Sequence, residues 1–137
     1  MFLIKEKFKK FLNSSWELEI WQNDKIIFRS KKSGVRGLLD FINKHGNSHS
    51  DLVIFDKIVG RGAALLAIYL KAKIVYGELG SKLAARALRK YKIEFHLRQI
   101  CANILNRDKS GLCPIERLSL DKTPEEFYIC IGFNYQL

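Results

Sequence analysis

An α/β fold is what the sequence predicts: a three-layer α/β/α sandwich whose five-stranded sheet is mixed and mostly parallel, with an antiparallel N-terminal hairpin. Three observations lead there. Short apolar runs at Leu52–Phe55, Ile74–Tyr76 and Ile93–Leu97 alternate with longer segments of helical periodicity, the signature of right-handed crossovers between parallel strands. The run Leu52–Phe55 passes through Gly60-Arg61-Gly62 into Ala63–Leu70, a strand, a loop and a well-buried helix. Trp16, Leu18 and Ile20 alternate with Glu17 and Glu19 ahead of Asn23-Asp24 and a second apolar run, which reads as a β-hairpin.

The elements follow in order. Met1–Asn13 is an amphipathic helix with Phe2, Leu3, Phe8, Phe11 and Leu12 on its apolar side. After the hairpin, which ends at Arg29, Ser33-Gly34 starts a helix on Val35, Leu38, Leu39 and Ile42 that stops at Gly46. Asp56 marks the carboxyl end of the central strand, where open α/β sheets bind their ligands. Lys73–Glu78 is a second buried strand, and Ser81 caps a helix carrying Leu83, Ala84, Ala87, Leu88 and Tyr91 on one face. Ile93–Leu97 is a third strand of the same kind, and Gln99–Leu105 reads as a short helix before the polar loop Asn106–Ser110. Pro114 suits the first position of a helix over Ile115–Leu120, and Thr123-Pro124-Glu125-Glu126 is a capping box for a last helix.

Composition narrows the function. The 137 residues make one domain, 1–137. No apolar run reaches the roughly 20 residues of a membrane span. The start MFLIKEKFKKFL lacks the apolar core and cleavage site of a secretory signal, so a cytoplasmic location and no membrane partner are expected. Cys101, Cys113 and Cys130 are odd in number and unpaired in spacing, which points to reduced thiols. With 24 Lys and Arg against 14 Asp and Glu, the net charge of +10 suits a polyanion, but the excess is spread along the chain without an aromatic-basic RNA motif.

The order of elements resembles the cytidine deaminase fold. The turns DKIVGRGAALL and GLCPIERLSL resemble those of a small uncharacterised bacterial family with a deaminase-like fold. Zinc deaminases carry a His or Cys, then a Glu two residues on, at one helix start, and Pro-Cys-x-x-Cys at the next. Here those positions hold Ser33, Gly34, Val35 and Arg36, and then Asp56, Lys57, Ile58, Val59 and Gly60. His45 and His49 follow the first core helix and His96 lies inside the third strand, so none substitutes as a ligand. Neither a zinc site nor any other cofactor is expected.

Two features retain chemistry. Gly60-Arg61-Gly62 at a helix start offers unpaired N–H groups and a guanidinium to an anion. Cys113, before Pro114 and three residues ahead of Glu116, lies where a helix start lowers a thiol pKa. The expected ligand-binding residues are therefore Ser33, Gly34, Asp56, Gly60, Arg61, Gly62 and Cys113. The favoured expectation is a non-catalytic or regulatory domain whose deaminase-like pocket takes a nucleotide, nucleoside or other small anionic metabolite. A zinc-independent enzyme using Asp56, Cys113 or Glu116 is the alternative, and a nucleic-acid-binding basic domain is a further one. Association between copies of the chain stays open.

Overall fold

A computed structural model describes residues 2–106 and 108–134. Helix α1 (Phe2–Leu12) precedes the hairpin of β1 (Leu18–Gln22) and β2 (Lys25–Ser30). The turn holds Asn23 and Asp24 at φ 50° and 65°, the left-handed pair that matches the twist of a two-residue hairpin loop. Then come α2 (Arg36–His45), β3 (Val53–Val59), α3 (Arg61–Tyr69), β4 (Ile74–Ser81), α4 (Lys82–Lys90), β5 (Glu94–Cys101), α5 (Pro114–Ser119) and α6 (Pro124–Asn134). The five strands form one mixed sheet in the order β2-β1-β3-β4-β5. β1 pairs antiparallel with both β2 and β3, and β3, β4 and β5 run parallel.

The side-chain period of two divides the sheet into two faces. Phe55, Val53, Tyr76 and Trp21 turn to one face, where Phe8 and Phe11 of α1 cover them. Leu18, Ile20, Ile54 and Val75 turn to the other and pack with apolar residues of α2, α3 and α4. The helices thus flank the sheet unequally. α3 is buried at every residue from Gly62 to Ile68, because α6 also packs against it through Phe127 and Ile131. The capping box starts α6 as expected: Thr123 N donates to Glu126 at 2.9 Å and Glu126 N to Thr123 Oγ1 at 3.1 Å.

Three sequence expectations change. No helix forms over Gln99–Leu105, because β5 runs on to Cys101 beside a β4 that itself extends to Ser81. Gly77 and Gly80 permit this: a Cβ at Gly77 would lie 2.8 Å, and one at Gly80 2.5 Å, from a methyl of Leu97, so the missing side chains make room for that neighbour. β5 is also an edge strand with alternating exposure rather than a buried one, its Ile100 being half exposed. Finally, Asp56 lies in the middle of β3, paired with Leu18 and Gly77, because the strand continues through Lys57, Ile58 and Val59. Pairing with neighbouring strands, which local periodicity does not contain, extended β3, β4 and β5.

Candidate functional site

The starts of α2, α3 and α5 meet on the sheet face opposite α1. Gly34, at φ +67°, turns the chain into α2. Gly60, in extended conformation, is the N-cap of α3, and Cys113 is the N-cap of α5 with Pro114 as its first residue. Between them lies a cleft of about 610 Å³, lined by Ser33, Gly34, Val35, Arg36, Leu105, Asn106, Asp108, Cys113, Pro114 and Ile115. A recess of about 60 Å³ adjoins it, sharing Gly34, Val35, Cys113 and Ile115, and reaches Ile58, Gly60, Gly62, Ala63, Ile104 and Glu116.

The wall facing α2 is built locally. Cys113 N donates to Ile104 O and Asn106 N to Gly111 O, both at 2.9 Å, closing the segment into a narrow ribbon. At its tip Asp108 Oδ1 accepts from Ser110 Oγ at 2.6 Å and from Ser110 N at 3.0 Å, bonds that hold the Asp108 carboxyl below its ordinary pKa.

Glu116 is the buried charge of this region, 2% exposed. Its Oε1 accepts from Arg61 N at the start of α3, and its Oε2 has no hydrogen-bond partner among the described residues. The glycines beside it are needed for contact: a Cβ at Gly60 would meet Glu116 Oε1 at 2.8 Å, and one at Gly62 would meet Ile115 at 2.8 Å and Phe127 at 2.9 Å. The Arg61 side chain is committed elsewhere. Its Nε donates to Ser119 O and its Nη2 to Lys122 O, each at 3.0 Å, tying α3 to the connection between α5 and α6.

Of the residues picked from sequence, Ser33, Gly34, Gly60, Gly62, Cys113 and Glu116 therefore share the cleft, whereas Asp56 and Arg61 do not line it. Asp56 is buried, accepts from Ile58 N at 3.4 Å, and has its carboxyl pushed well above the usual range by desolvation. Arg61 faces carbonyls instead of an anion, and the α3 N-terminus it was expected to share with a ligand already holds the Glu116 carboxylate. The cleft is also lined by Val35 and Arg36, which the sequence places at the same helix start without singling them out as binding residues, and by Asn106 and Asp108 of the polar loop. Cys101 lies on β5 and not on a helix, with its Sγ 3.6 Å from Gly80 O. Among the described residues no group of three or more His, Cys, Asp or Glu is placed to hold a metal ion, and no helix is long and apolar enough to cross a membrane. His45 and His49 pack on Phe41, and His96 stacks on Tyr76.

Comparison with known proteins bears on the whole chain. The family model described as TM1506, domain of unknown function DUF1893, matches residues 7–132. A crystal structure of a DUF1893 family protein, TM1506 from Thermotoga maritima, superposes with a TM-score of 0.87 at 25% identity, covering 97% of this chain and 90% of that one. No curated protein matches.

Proposed function

We propose, from the premise that the chain belongs to the DUF1893 family, that it is a non-catalytic small-ligand-binding domain acting in the cytoplasm. Its site is the cleft between the starts of α2, α3 and α5. The observation that carries this reading is convergence: Ser33 and Gly34, Gly60 and Gly62, and the stretch 113–116, far apart in sequence, border one cavity with an adjoining recess. A volume of about 610 Å³ is of the size that holds a nucleoside or nucleotide. Apolar walls with a few polar groups are the usual makeup of such sites. The starts of α2 and α3 are also the two places where the resemblance to zinc deaminases puts metal ligands. This supports a deaminase-like ancestry for a pocket that no longer carries those side chains.

Binding is favoured over chemistry because, among the described residues, Cys113 and Glu116 border the recess without the third candidate, Asp56, or a base beside them. Asp56 is sealed in the sheet, no imidazole lines the cleft, and one oxygen of Glu116 is engaged by backbone. Nucleic-acid binding is disfavoured because exposed Lys5, Lys9 and Lys10 of α1 lie on one side of the sheet and Lys82, Arg86, Arg89 and Lys90 of α4 on the other. A thermal-shift screen over nucleotides, nucleosides and sugar phosphates tests the proposal. At least one compound should raise Tm, and Ser33→Trp, an exposed substitution that plugs the cleft, should abolish the rise. A hit equally effective on Ser33→Trp would place binding elsewhere.

A further inference from the structure

The inner recess has apolar walls from Val35, Ile58, Ala63, Ile104 and Ile115, and among the described residues its one charged side chain is Glu116. Through Oε1 that side chain neutralises the start of α3, so the N–H groups and dipole which would draw an external anion are already served by a carboxylate of the same chain. Its other oxygen, buried and without a partner among the described residues, is an acceptor with unmet demand. A site holding such an acceptor favours a ligand that donates to it and rejects an analogue lacking the donor. A phosphate or carboxylate in the same position would meet a second negative charge.

We infer, resting on the reading of this cleft as a ligand site, that Glu116 determines its specificity and that the group entering the recess is an N–H donor on a flat, largely apolar ring. An exocyclic amine or amidine-like edge fits. The donor contacts Glu116 Oε2, the ring lies between Val35 and Ile115, and any negative group on the same molecule belongs at the mouth, where Arg36 lines the outer cavity. The polarity is the reverse of that expected from Gly60-Arg61-Gly62 alone.

A matched pair of probes decides it: 2-aminopyrimidine and pyrimidine, which differ by the amine, with inorganic phosphate as a third arm. Each is titrated into isotope-labelled protein while the amide resonances of Gly34, Gly60 and Arg61 are followed. The Arg61 amide reports on the Glu116 contact directly. The amine should shift these resonances with an affinity about tenfold or more above that of pyrimidine. In Glu116→Gln, where an amide N–H₂ replaces the free acceptor, that preference should vanish. Equal binding of both heterocycles to the wild-type cleft would overturn the assignment of Glu116 yet leave the cleft a ligand site. Phosphate binding at these amides, strengthened in Glu116→Gln, would overturn it in favour of an anion that competes with the carboxylate. Shifts confined to other parts of the chain would remove both readings. The wild-type comparison stands by itself should Glu116→Gln fail to fold.

Discussion

Replacing Arg61 by Ala should unfold the protein more easily and leave ligand affinity almost unchanged. In the structure the guanidinium makes two bonds of 3.0 Å to the carbonyls of Ser119 and Lys122, and it contributes nothing to the lining of the cleft. Hydrogen bonds from a charged donor are worth about 1.5–3 kcal/mol each. Because Arg61 is only partly buried, each bond is discounted to about 1–1.5 kcal/mol, giving a loss of roughly 2–3 kcal/mol for the pair. With an unfolding entropy of about 2.1 cal/mol/K per residue, this corresponds to a fall in Tm of about 7–10 °C. Urea unfolding at pH 7, followed by tryptophan fluorescence, measures it, and Arg61→Lys should recover only part of the loss because the ammonium lacks the fork. A change in stability below about 0.5 kcal/mol together with a large loss of ligand affinity would refute this assignment, since that is the behaviour of an anion-binding arginine.

Asp56, whose carboxyl is raised above its ordinary value of 3.8 chiefly by burial, binds its proton more tightly in the folded chain than in the unfolded one. Its contribution to stability is thus full below that ordinary value and is lost as pH rises through the higher folded value. Asp56→Asn should not share this fall, and parallel stability profiles for the two proteins from acid to neutral pH would contradict the burial argument. Ser81 is fully buried and its Oγ accepts from Ala84 N at 3.0 Å, so Ser81→Ala should lower stability by about 1–2 kcal/mol in denaturant titration. Cys113 borders both the cleft and its recess. Iodoacetamide should therefore label it more slowly when a screening hit is bound, with the rates at Cys101 and Cys130 unchanged. Equal protection of all three thiols would indicate a global effect of the ligand and not occupancy of the cleft.

The parts of the fold that were legible in the sequence rest on local physics. Asn23-Asp24 marks the hairpin, Ser81 and Thr123 mark helix starts, and the alternation of apolar strands with helical periods gives the mixed sheet. Where strands end was not legible. Asp56 and Glu78 look like strand ends in isolation, but β3 runs on to Val59 and β4 to Ser81 beside partners tens of residues away. The site shows the same division. Helix-start glycines and the Cys-Pro turn pointed to Ser33, Gly34, Gly60, Gly62 and Cys113, while the carbonyl partners of Arg61, Ser119 and Lys122, lie too far along the chain for a local pattern to show. Glu116, in the first turn of α5, reaches across to α3, a pairing 55 positions apart that no local pattern encodes.

A crystal structure of the protein with the strongest hit of the nucleotide and nucleoside screen tests the central claim most directly. Density for the compound should lie between the starts of α2, α3 and α5, in contact with Val35 and Cys113 and with a nitrogen within hydrogen-bond distance of Glu116 Oε2. The structure offers a competing cavity of about 500 Å³ on the other sheet face, lined by Lys5, Phe8, Tyr76, Phe95, His96, Leu97, Arg98 and Ile100. Density there, with the α2/α3/α5 cleft filled only by water, would contradict the account.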